Sequence, residues 1–438
     1  MSMLAPFRTR AFRYQWPADL ATSWAVEMEV LILGWYILVE SESVVLLVFF
    51  GALQYLGSLV SPLFGVAGDR IGYGRLLWMT RALYAVMAAL LGWLAASESL
   101  SPTAVLIIAG LNGLVRPSDM VMRYALIAQY LPATQLMGAL GISRITSDSA
   151  RIAGALAGAG AVAMFGIAPA YLVVTSLYVV SFLLSLQVAP RTTVGSPSPR
   201  PMARTQRDTP TAEACADPAP IRSPDDAPAP GSRPSPWQDL RSAALYVWQR
   251  PALMGPMSMA FLANLVAFPL FIGLLPYVAK TVYGVGQGGL GWLGASFASG
   301  ALLGSLVLSS NRLRINAARL MMMAAMGWLA ANAFQAQTTT LLSGMALLAA
   351  SGFAQSLCMT PLAAVMLRAT EPAYRGRVMG MRILAIWGLP MGLMLSGPLI
   401  ERVGFQAAMT GYAVVGMLLT LAIGLRWREA LWTKPPPA

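Results

Sequence analysis

The sequence predicts an all-α polytopic membrane protein with twelve transmembrane helices. The first observation behind this prediction is composition: 57% of the 438 residues are hydrophobic and only 11% are charged, whereas an average soluble domain carries about 25% charged residues. The second is the length of the apolar runs, because a helix needs about 20 apolar residues to cross a bilayer. The third is that basic residues concentrate in alternate loops between these runs. All three are typical of a chain embedded in lipid.

The predicted spans come in two groups of six, separated by a polar segment. The first group lies at residues 16–39, 44–66, 76–97, 102–129, 137–164 and 168–189. The second group lies at residues 252–279, 288–310, 317–336, 339–366, 377–400 and 406–427. The first apolar run is too long for a cleavable signal and lacks a small-residue cleavage site, so we expect it to remain as a spanning helix.

The polar segment between the two groups differs from the rest of the chain. Residues 190–236 are rich in proline, alanine, serine and threonine and contain almost no large apolar side chain. Such a composition cannot bury enough apolar surface to fold alone. We therefore predict a disordered cytoplasmic linker at residues 191–250, with a short amphipathic helix that begins near Trp237. The linker separates an N-terminal six-helix half, residues 1–190, from a C-terminal six-helix half, residues 251–438.

The charges of the short loops predict the orientation of the spans. Arg70 and Arg75 follow the second span, and Arg368 follows the tenth. The first and third spans are instead followed by acids, Glu40 and Glu98. Because positively charged loops stay on the cytoplasmic side, we expect both termini in the cytoplasm. The net charge of +12 thus reflects membrane topology and gives no reason to expect nucleic acid as a partner.

The loop after the second span carries the most informative motif of the chain. Residues 65–75 read Gly-Val-Ala-Gly-Asp-Arg-Ile-Gly-Tyr-Gly-Arg, which fits the pattern G-x-x-x-D-R-x-G-x-x-R. The glycines permit a tight turn, and Asp69 can pair across it while Arg70 and Arg75 hold it on the cytoplasmic side. In pattern and position this loop resembles that of the major facilitator superfamily (MFS) of transporters. The resemblance implies two six-helix halves around a central cavity, and a cytoplasmic gate formed by Gly65, Asp69, Arg70, Gly72 and Arg75.

Four further stretches resemble the enterobactin-exporter-like branch of bacterial drug and siderophore efflux proteins. They are residues 123–132, 149–154, 244–251 and 374–380. The resemblance implies a proton-driven secondary transporter that exports a small organic molecule, with a siderophore as the expected substrate, from the bacterial inner membrane. Multidrug efflux of amphipathic compounds, proton-coupled uptake of a small anion and a non-transporting membrane sensor are the alternatives. One departure is Ala155 after Gly154, where antiporters of the superfamily usually carry Gly-Pro.

Charged residues inside the predicted spans are the candidates for function, since they are costly to insert and usually functional. Glu27 and Glu29 lie near the middle of the first span, and their two-residue spacing separates them by about 200° around a helix. We therefore expect them to face different surroundings. The superfamily resemblance adds Arg123, which resembles a span-four arginine linked to proton movement.

Spans four and five each contain an aspartate with an arginine three or four residues to either side. The residues are Arg116, Asp119 and Arg123 in span four, and Arg144, Asp148 and Arg151 in span five. This spacing places the charges on one helix face, so the two triads are either structural ion pairs or part of a transport pathway. For proton coupling we expect Glu27, Glu29, Asp119, Asp148 and Arg123. For the substrate cavity we expect Arg116, Arg144, Arg151, Asn112 and Arg382.

Several function classes find no support in the residues. Histidine is absent, and the two cysteines, Cys215 and Cys358, lie in the linker and in an apolar span, so neither a metal site nor a disulfide framework is predicted. The sequence has no nucleotide-binding Gly-Lys-Ser/Thr loop. We expect a transporter that is not an enzyme, needs no metal or cofactor, and works as a monomer. Its expected partners are the lipid bilayer, protons and a small-molecule substrate.

Overall fold

The computed structural model describes residues 5–58, 64, 68, 70–188, 244–309, 315–371 and 374–429. Within these ranges every regular element is a helix. The linker predicted at residues 191–250 lies outside the described residues except for residues 244–250, which include a helical turn at 244–248. The predicted gate residues Gly65 and Asp69 also lie outside them.

Before the linker, the described residues form a first group of helices. They are α1 (Arg10–Ser41), α2 (Val44–Leu53), α3 (Tyr73–Ala96), α4 (Pro102–Tyr130), α5 (Ala133–Phe165) and α6 (Ile167–Leu186). Side-chain caps explain two of the starts. The hydroxyl oxygens of Ser43 and Ser101 accept hydrogen bonds from backbone N–H groups in the first turns of α2 and α4. A 3-10 turn, Leu56–Ser58, follows α2, and most of the remaining predicted second span lies outside the described residues.

After the linker, the described residues form a second group. They are α7 (Pro251–Val282), α8 (Gln287–Ser309), α9 (Ala317–Gln337), α10 (Leu341–Ala369), α11 (Val378–Val403) and α12 (Phe405–Arg426). The predicted seventh span is not a regular helix, because α7 contains two π-helical turns, Ala263–Ala267 and Val278–Val282. Pro269 and Pro276 lie between these turns, and a proline inside a helix removes a backbone hydrogen bond.

By length and composition, nine helices in the described ranges can cross a membrane. They are α1, α3, α4, α6, α7, α8, α10, α11 and α12. The other three, α2, α5 and α9, overlap predicted spans but are not among the nine; α2 with its following turn, Val44–Ser58, is too short. The predicted class, an all-helical multi-pass membrane protein, is confirmed. The count of twelve spans stays a prediction.

The centre of the first group is α1, which packs against α2, α4, α5 and α6. Its contact with α5 is close because α5 presents Gly154 and Gly158 to it. A Cβ atom at Gly158 would lie 2.9 Å from the Cα atom of Met28, so glycine allows the two backbones to approach. This packing places Glu27 and Glu29, at the middle of α1, against neighbouring helices.

Besides smaller contacts, among them those of α1 with α7 and α8, two helix pairs join the first group to the second: α5 with α8, and α2 with α11. Both contacts use glycine. A Cβ atom at Gly291 of α8 would lie 2.6 Å from the Cβ of Ala159, and one at Gly397 of α11 would lie 2.7 Å from the side chain of Val48. The α2–α11 contact lies near the end of the bundle at which α1 turns into α2, whereas the α5–α8 contact lies closer to mid-span. Under the predicted orientation this end faces away from the cytoplasm.

Candidate functional site

Four buried charged side chains form an ionic network, which we define as Asp19 of α1, Arg81 of α3, and Asp119 and Arg123 of α4. Arg81 is fully buried and contacts both aspartates: it donates to Oδ1 of Asp19, and its Nε lies 3.5 Å from Oδ1 of Asp119. Nε of Arg123 lies 2.5 Å from Oδ2 of Asp119 and 3.4 Å from Oδ1 of Asp19. Two positive charges thus meet two negative charges, and the network is neutral.

Further hydrogen bonds connect the ionic network to α1. Nη1 of Arg123 donates to Oγ of Ser23 at 3.1 Å, and Nε2 of Gln15 donates to the backbone oxygen of Arg123 at 3.1 Å. Pairing lowers the cost of these buried charges, although among the described residues Nε and Nη1 of Arg81 have no hydrogen-bond partner. The network therefore ties α1, α3 and α4 to one another near the end at which α1 begins.

A further buried carboxylate, Glu29, has neutral hydrogen-bond donors instead. Its Oε2 accepts a hydrogen bond from the hydroxyl of Tyr178 on α6 at 2.7 Å, and its Oε1 accepts one from Nδ2 of Asn112 on α4 at 3.4 Å. Glu29 is 6% exposed. Among the residues that the structure describes, no arginine or lysine forms an ion pair with it. We call Glu29, Asn112 and Tyr178 the Glu29 pocket.

Arg116 is the cation that acts on Glu29 electrostatically, but its guanidinium binds another residue. It lies on α4 one turn after Asn112, and its Nη1 donates to Oε1 of Gln54 at 2.6 Å. Gln54 is buried at the end of α2. The positive charge of Arg116 is therefore held by a neutral amide.

Glu27 points away from Glu29 and toward α5. Its Oε1 lies 3.6 Å from Nε of Arg151, and the two side chains are 33% and 38% exposed. Tyr55 lies within electrostatic reach of both charges. The two acids of the first span thus have different surroundings, as the helical spacing predicts, and Glu27 is the more accessible of the two.

A comparison of the sequence with models of known protein families identifies the family of this helical bundle. The family model of the Major Facilitator Superfamily matches residues 28–310, which is more than half of the chain. The chain belongs to the major facilitator superfamily. The match confirms the predicted superfamily and its function class, transport rather than catalysis, but does not distinguish the exporter branch from others.

Solved transporter structures share the fold of this MFS protein over nearly its whole length. A bacterial homolog of the human lysosomal transporter Spinster, in an inward-facing and unoccupied conformation, is 14% identical, with a TM-score of 0.66 over 98% of this chain and 99% of that one. The nucleoside transporter NupG is 13% identical (TM-score 0.67; 97% and 100% covered). The POT family transporter PepTSo is 13% identical (TM-score 0.70; 97% and 99% covered). These similarities show the fold alone. A comparison with curated proteins gave no match.

Three residues of the predicted cytoplasmic gate of the MFS protein lie within the described ranges. Arg70, Gly72 and Arg75 are exposed. Gly72 has a φ angle of 96°, in a region that favours glycine because a side chain would be strained there. A Cβ atom at Gly68 would lie 2.4 Å from the ring of Tyr73. Gly68 and Gly72 thus allow a tight entry into α3.

Three other predicted site residues belong neither to the ionic network nor to the Glu29 pocket. Asp148 is buried on α5, and Arg144 lies on the same helix. Arg382 is half-buried on α11, in the second group of helices. Their roles in coupling and in substrate binding stay predictions.

Arg81 and Tyr178 are site residues that the sequence patterns did not single out. Arg81 lies inside the third predicted span, and a charge at that depth is the signal that identifies it. The spacing along span four predicts that Arg116 and Arg123 both pair with Asp119. In the structure Arg123 does so, but the second arginine beside Asp119 is Arg81, and Arg116 binds Gln54. Tyr178 gives no comparable signal, because a tyrosine in an apolar helix is common.

Two of the stretches that carry the exporter resemblance meet outside the spans. The rings of Tyr246 and Tyr374 stack with their centroids 4.2 Å apart, and the guanidinium of Arg250 lies 3.9 Å from the centroid of Tyr246. Nη2 of Arg250 donates to Oε1 of Glu371 at 2.6 Å, and this hydrogen bond raises the pKa of Arg250. These four residues anchor the end of the linker to the junction between α10 and α11.

Proposed function

We propose that this MFS protein is a proton-driven secondary transporter that exports a small organic molecule, a siderophore, from the cytoplasm. The observation that carries this proposal is the Glu29 pocket. An ionised carboxylate is costly at this depth when its partners are neutral, and uptake of a proton removes that cost. Glu29 is therefore the proposed proton carrier, in preference to Glu27, which pairs with Arg151.

In the proposed cycle, α1 and α4 connect the proton site to the substrate. Glu27 and Arg151 are partly exposed at mid-span, and with Arg116 they form the substrate side of the site. Asp119 and Arg123 transmit a shift of α1 to the predicted cytoplasmic end through the ionic network. The two groups of helices then rock, so that the α2–α11 and α5–α8 contacts open while the loop before α3 closes the cytoplasmic mouth.

Two arguments support a polar, chelating metabolite as the substrate. The first is the resemblance of four stretches to the drug and siderophore efflux branch. The second is the mixture of charges from Glu27, Arg116 and Arg151, which suits a molecule with several polar groups better than a purely cationic dye. The proposal includes the bacterial inner membrane, cytoplasmic termini, a single subunit, and six-helix halves at residues 1–190 and 251–438.

Proton-coupled uptake of a small anion is the second candidate, and the position of Arg116 favours it. Protonation of Glu29 removes a negative charge near Arg116, so it strengthens the attraction of this region for an anion. A proton and an anion that bind together move in the same direction, which is uptake. Export requires a substrate that competes with the proton, for example through a group that pairs with Glu27 or Glu29.

The first experiment identifies the substrate and the direction of transport. Untargeted mass spectrometry compares cells and medium from a strain that lacks the gene and from its parent, with and without iron. An iron-chelating metabolite that is lost from the medium and retained in the deleted cells supports siderophore export. An anion that only the parent removes from the medium supports uptake, and matching profiles contradict both.

The compound found in this way is then used in proteoliposomes with an imposed proton gradient. The substitution Glu29→Gln is expected to abolish gradient-driven transport but to preserve substrate exchange, because exchange needs no net proton movement. Glu40→Gln is the matched control, since Glu40 lies on the same helix and is exposed. Gradient-driven transport by E29Q at the parental rate would exclude Glu29 as the proton carrier.

A further inference from the structure

We propose that Gln54 is a positioning residue that holds the guanidinium of Arg116 away from Glu29 and thereby leaves Glu29 free to take up a proton. The inference rests on the proton-driven transport proposed above. In this inference Gln54 acts on Glu29 through Arg116. It explains why Glu29, a buried carboxylate near Arg116, forms no ion pair among the described residues.

The first step is that Arg116 can reach Glu29. Asn112 and Arg116 are four residues apart on α4, so their side chains leave the same face of the helix. Asn112 already contacts Glu29 through Nδ2. Arg116 also has a charge interaction with Glu29, so its long side chain lies near the same carboxylate. In the structure it binds Oε1 of Gln54 at 2.6 Å instead.

The second step is that the backbone fixes Gln54 in place. A Cβ atom at Gly113 of α4 would lie 2.0 Å from the backbone oxygen of Leu53 and 3.1 Å from the Cα of Gln54. A Cβ atom at Gly57, after α2, would lie 2.0 Å from a backbone oxygen of α4. Neither position has room for a side chain, so α2 and α4 cross in direct backbone contact. The side-chain amide of Gln54 is thus anchored next to α4.

The third step is that the other groups facing Glu29 cannot serve as its counter-ion. On α6 these are Tyr171 and Tyr178, and on α3 the group is Tyr84. All three are phenols without positive charge. On α4, Asn112 is neutral, which leaves Arg116 as the cation of this surrounding. The partner of Arg116 therefore decides whether Glu29 is paired.

This arrangement makes a prediction for the substitution Gln54→Leu. The variant removes the acceptor of Arg116, whose half-buried guanidinium is then left without its hydrogen bond. The inference is that Glu29, which already has a charge interaction with Arg116, becomes the new acceptor. An ion pair favours the ionised form, so the pH at which Glu29 is half protonated should fall by at least about one unit, a tenfold change in proton affinity.

Infrared titration of the purified full-length protein in lipid nanodiscs measures this pH midpoint without a known substrate. The band of a protonated carboxylic acid that disappears in E29Q reports Glu29. We expect a lower midpoint in Q54L and a return to the parental value or above in the double variant Q54L/R116L. Gln355→Leu removes a buried glutamine of α10 and should leave the midpoint unchanged. Gln54→Ala, a smaller change, gives the same prediction if Q54L fails to fold.

The outcomes separate the inference from the proposed function. If the band is present and the Gln54 variants keep the parental midpoint, Gln54 does not hold Arg116 off Glu29. If the midpoint falls but Q54L/R116L does not reverse the fall, the effect does not pass through Arg116, and the inference also fails. If no band is lost in E29Q at any pH, Glu29 does not take up a proton, and both proposals fail.

Discussion

Replacement of Arg81 by methionine tests whether the ionic network holds α1, α3 and α4 together. Arg81 is fully buried between Asp19 and Asp119. Methionine has a similar length without charge, so the variant leaves two carboxylates to share Arg123, and the network changes from neutral to one net negative charge. Removal of one partner of a buried ion pair costs about 3–5 kcal/mol. Because both aspartates keep a contact with Arg123, we expect the lower end, about 3 kcal/mol.

The assay is thermal unfolding of the purified protein, followed by tryptophan fluorescence. R81M should unfold at a clearly lower temperature than the parent. The double variant R81M/D19N restores neutrality and should recover part of the loss. The same substitution at the exposed Arg70 is the control and should leave the unfolding temperature unchanged. Equal unfolding temperatures for R81M and R70M, or no recovery in the double variant, would refute the role of the network as a stabilising unit.

Two further substitutions test the Glu29 pocket and the crossing of α2 with α4. Tyr178→Phe removes a hydrogen bond that favours the ionised carboxylate, so the infrared midpoint of Glu29 should rise by about one pH unit, whereas Tyr171→Phe should not move it. An unchanged midpoint in Y178F would show that this hydroxyl does not act on Glu29. Gly113→Ala places a Cβ 2.0 Å from a backbone oxygen of α2 and should destabilise by about 1–3 kcal/mol, while at Gly110 the nearest atom is 3.9 Å away. Equal thermal stability of G113A and G110A would contradict the close crossing.

The fold follows largely from composition and from the length of the apolar runs. The fourth span, predicted at residues 102–129, is the helix Pro102–Tyr130, because a serine cap and a proline in the first turn define its start. The seventh span, predicted at residues 252–279, corresponds to the helical span Pro251–Val282, but π-helical turns and prolines interrupt its regular geometry. The apolar content of a segment indicates whether it can cross a bilayer, but it does not predict where π-helical turns interrupt the helix.

The site was less predictable, because its partners come from different helices. The spacing along α4 correctly paired Asp119 with Arg123. The same spacing suggested Arg116 as a second partner, but that arginine binds Gln54, which is 62 residues away in the sequence. Arg81 reaches Asp119 from a third helix. Periodicity along one helix identifies which residues share a face, whereas the partner across a helix–helix contact depends on how the backbones cross.

The buried carboxylates Asp19 and Asp119 have different partners from the buried carboxylate Glu29. Asp19 and Asp119 each contact two arginines, so their charges are neutralised within the ionic network. Glu29 lies in the same bundle and near Arg116, yet among the described residues its hydrogen-bond donors are the neutral Asn112 and Tyr178. A purely structural role gives no reason to withhold a nearby arginine, because pairing would lower the free energy of the buried charge. A carboxylate that exchanges a proton gives such a reason, since a permanent ion pair would keep the proton from binding. The absence of an ion pair at Glu29 among the described residues is therefore the feature that the proposed proton-driven cycle requires.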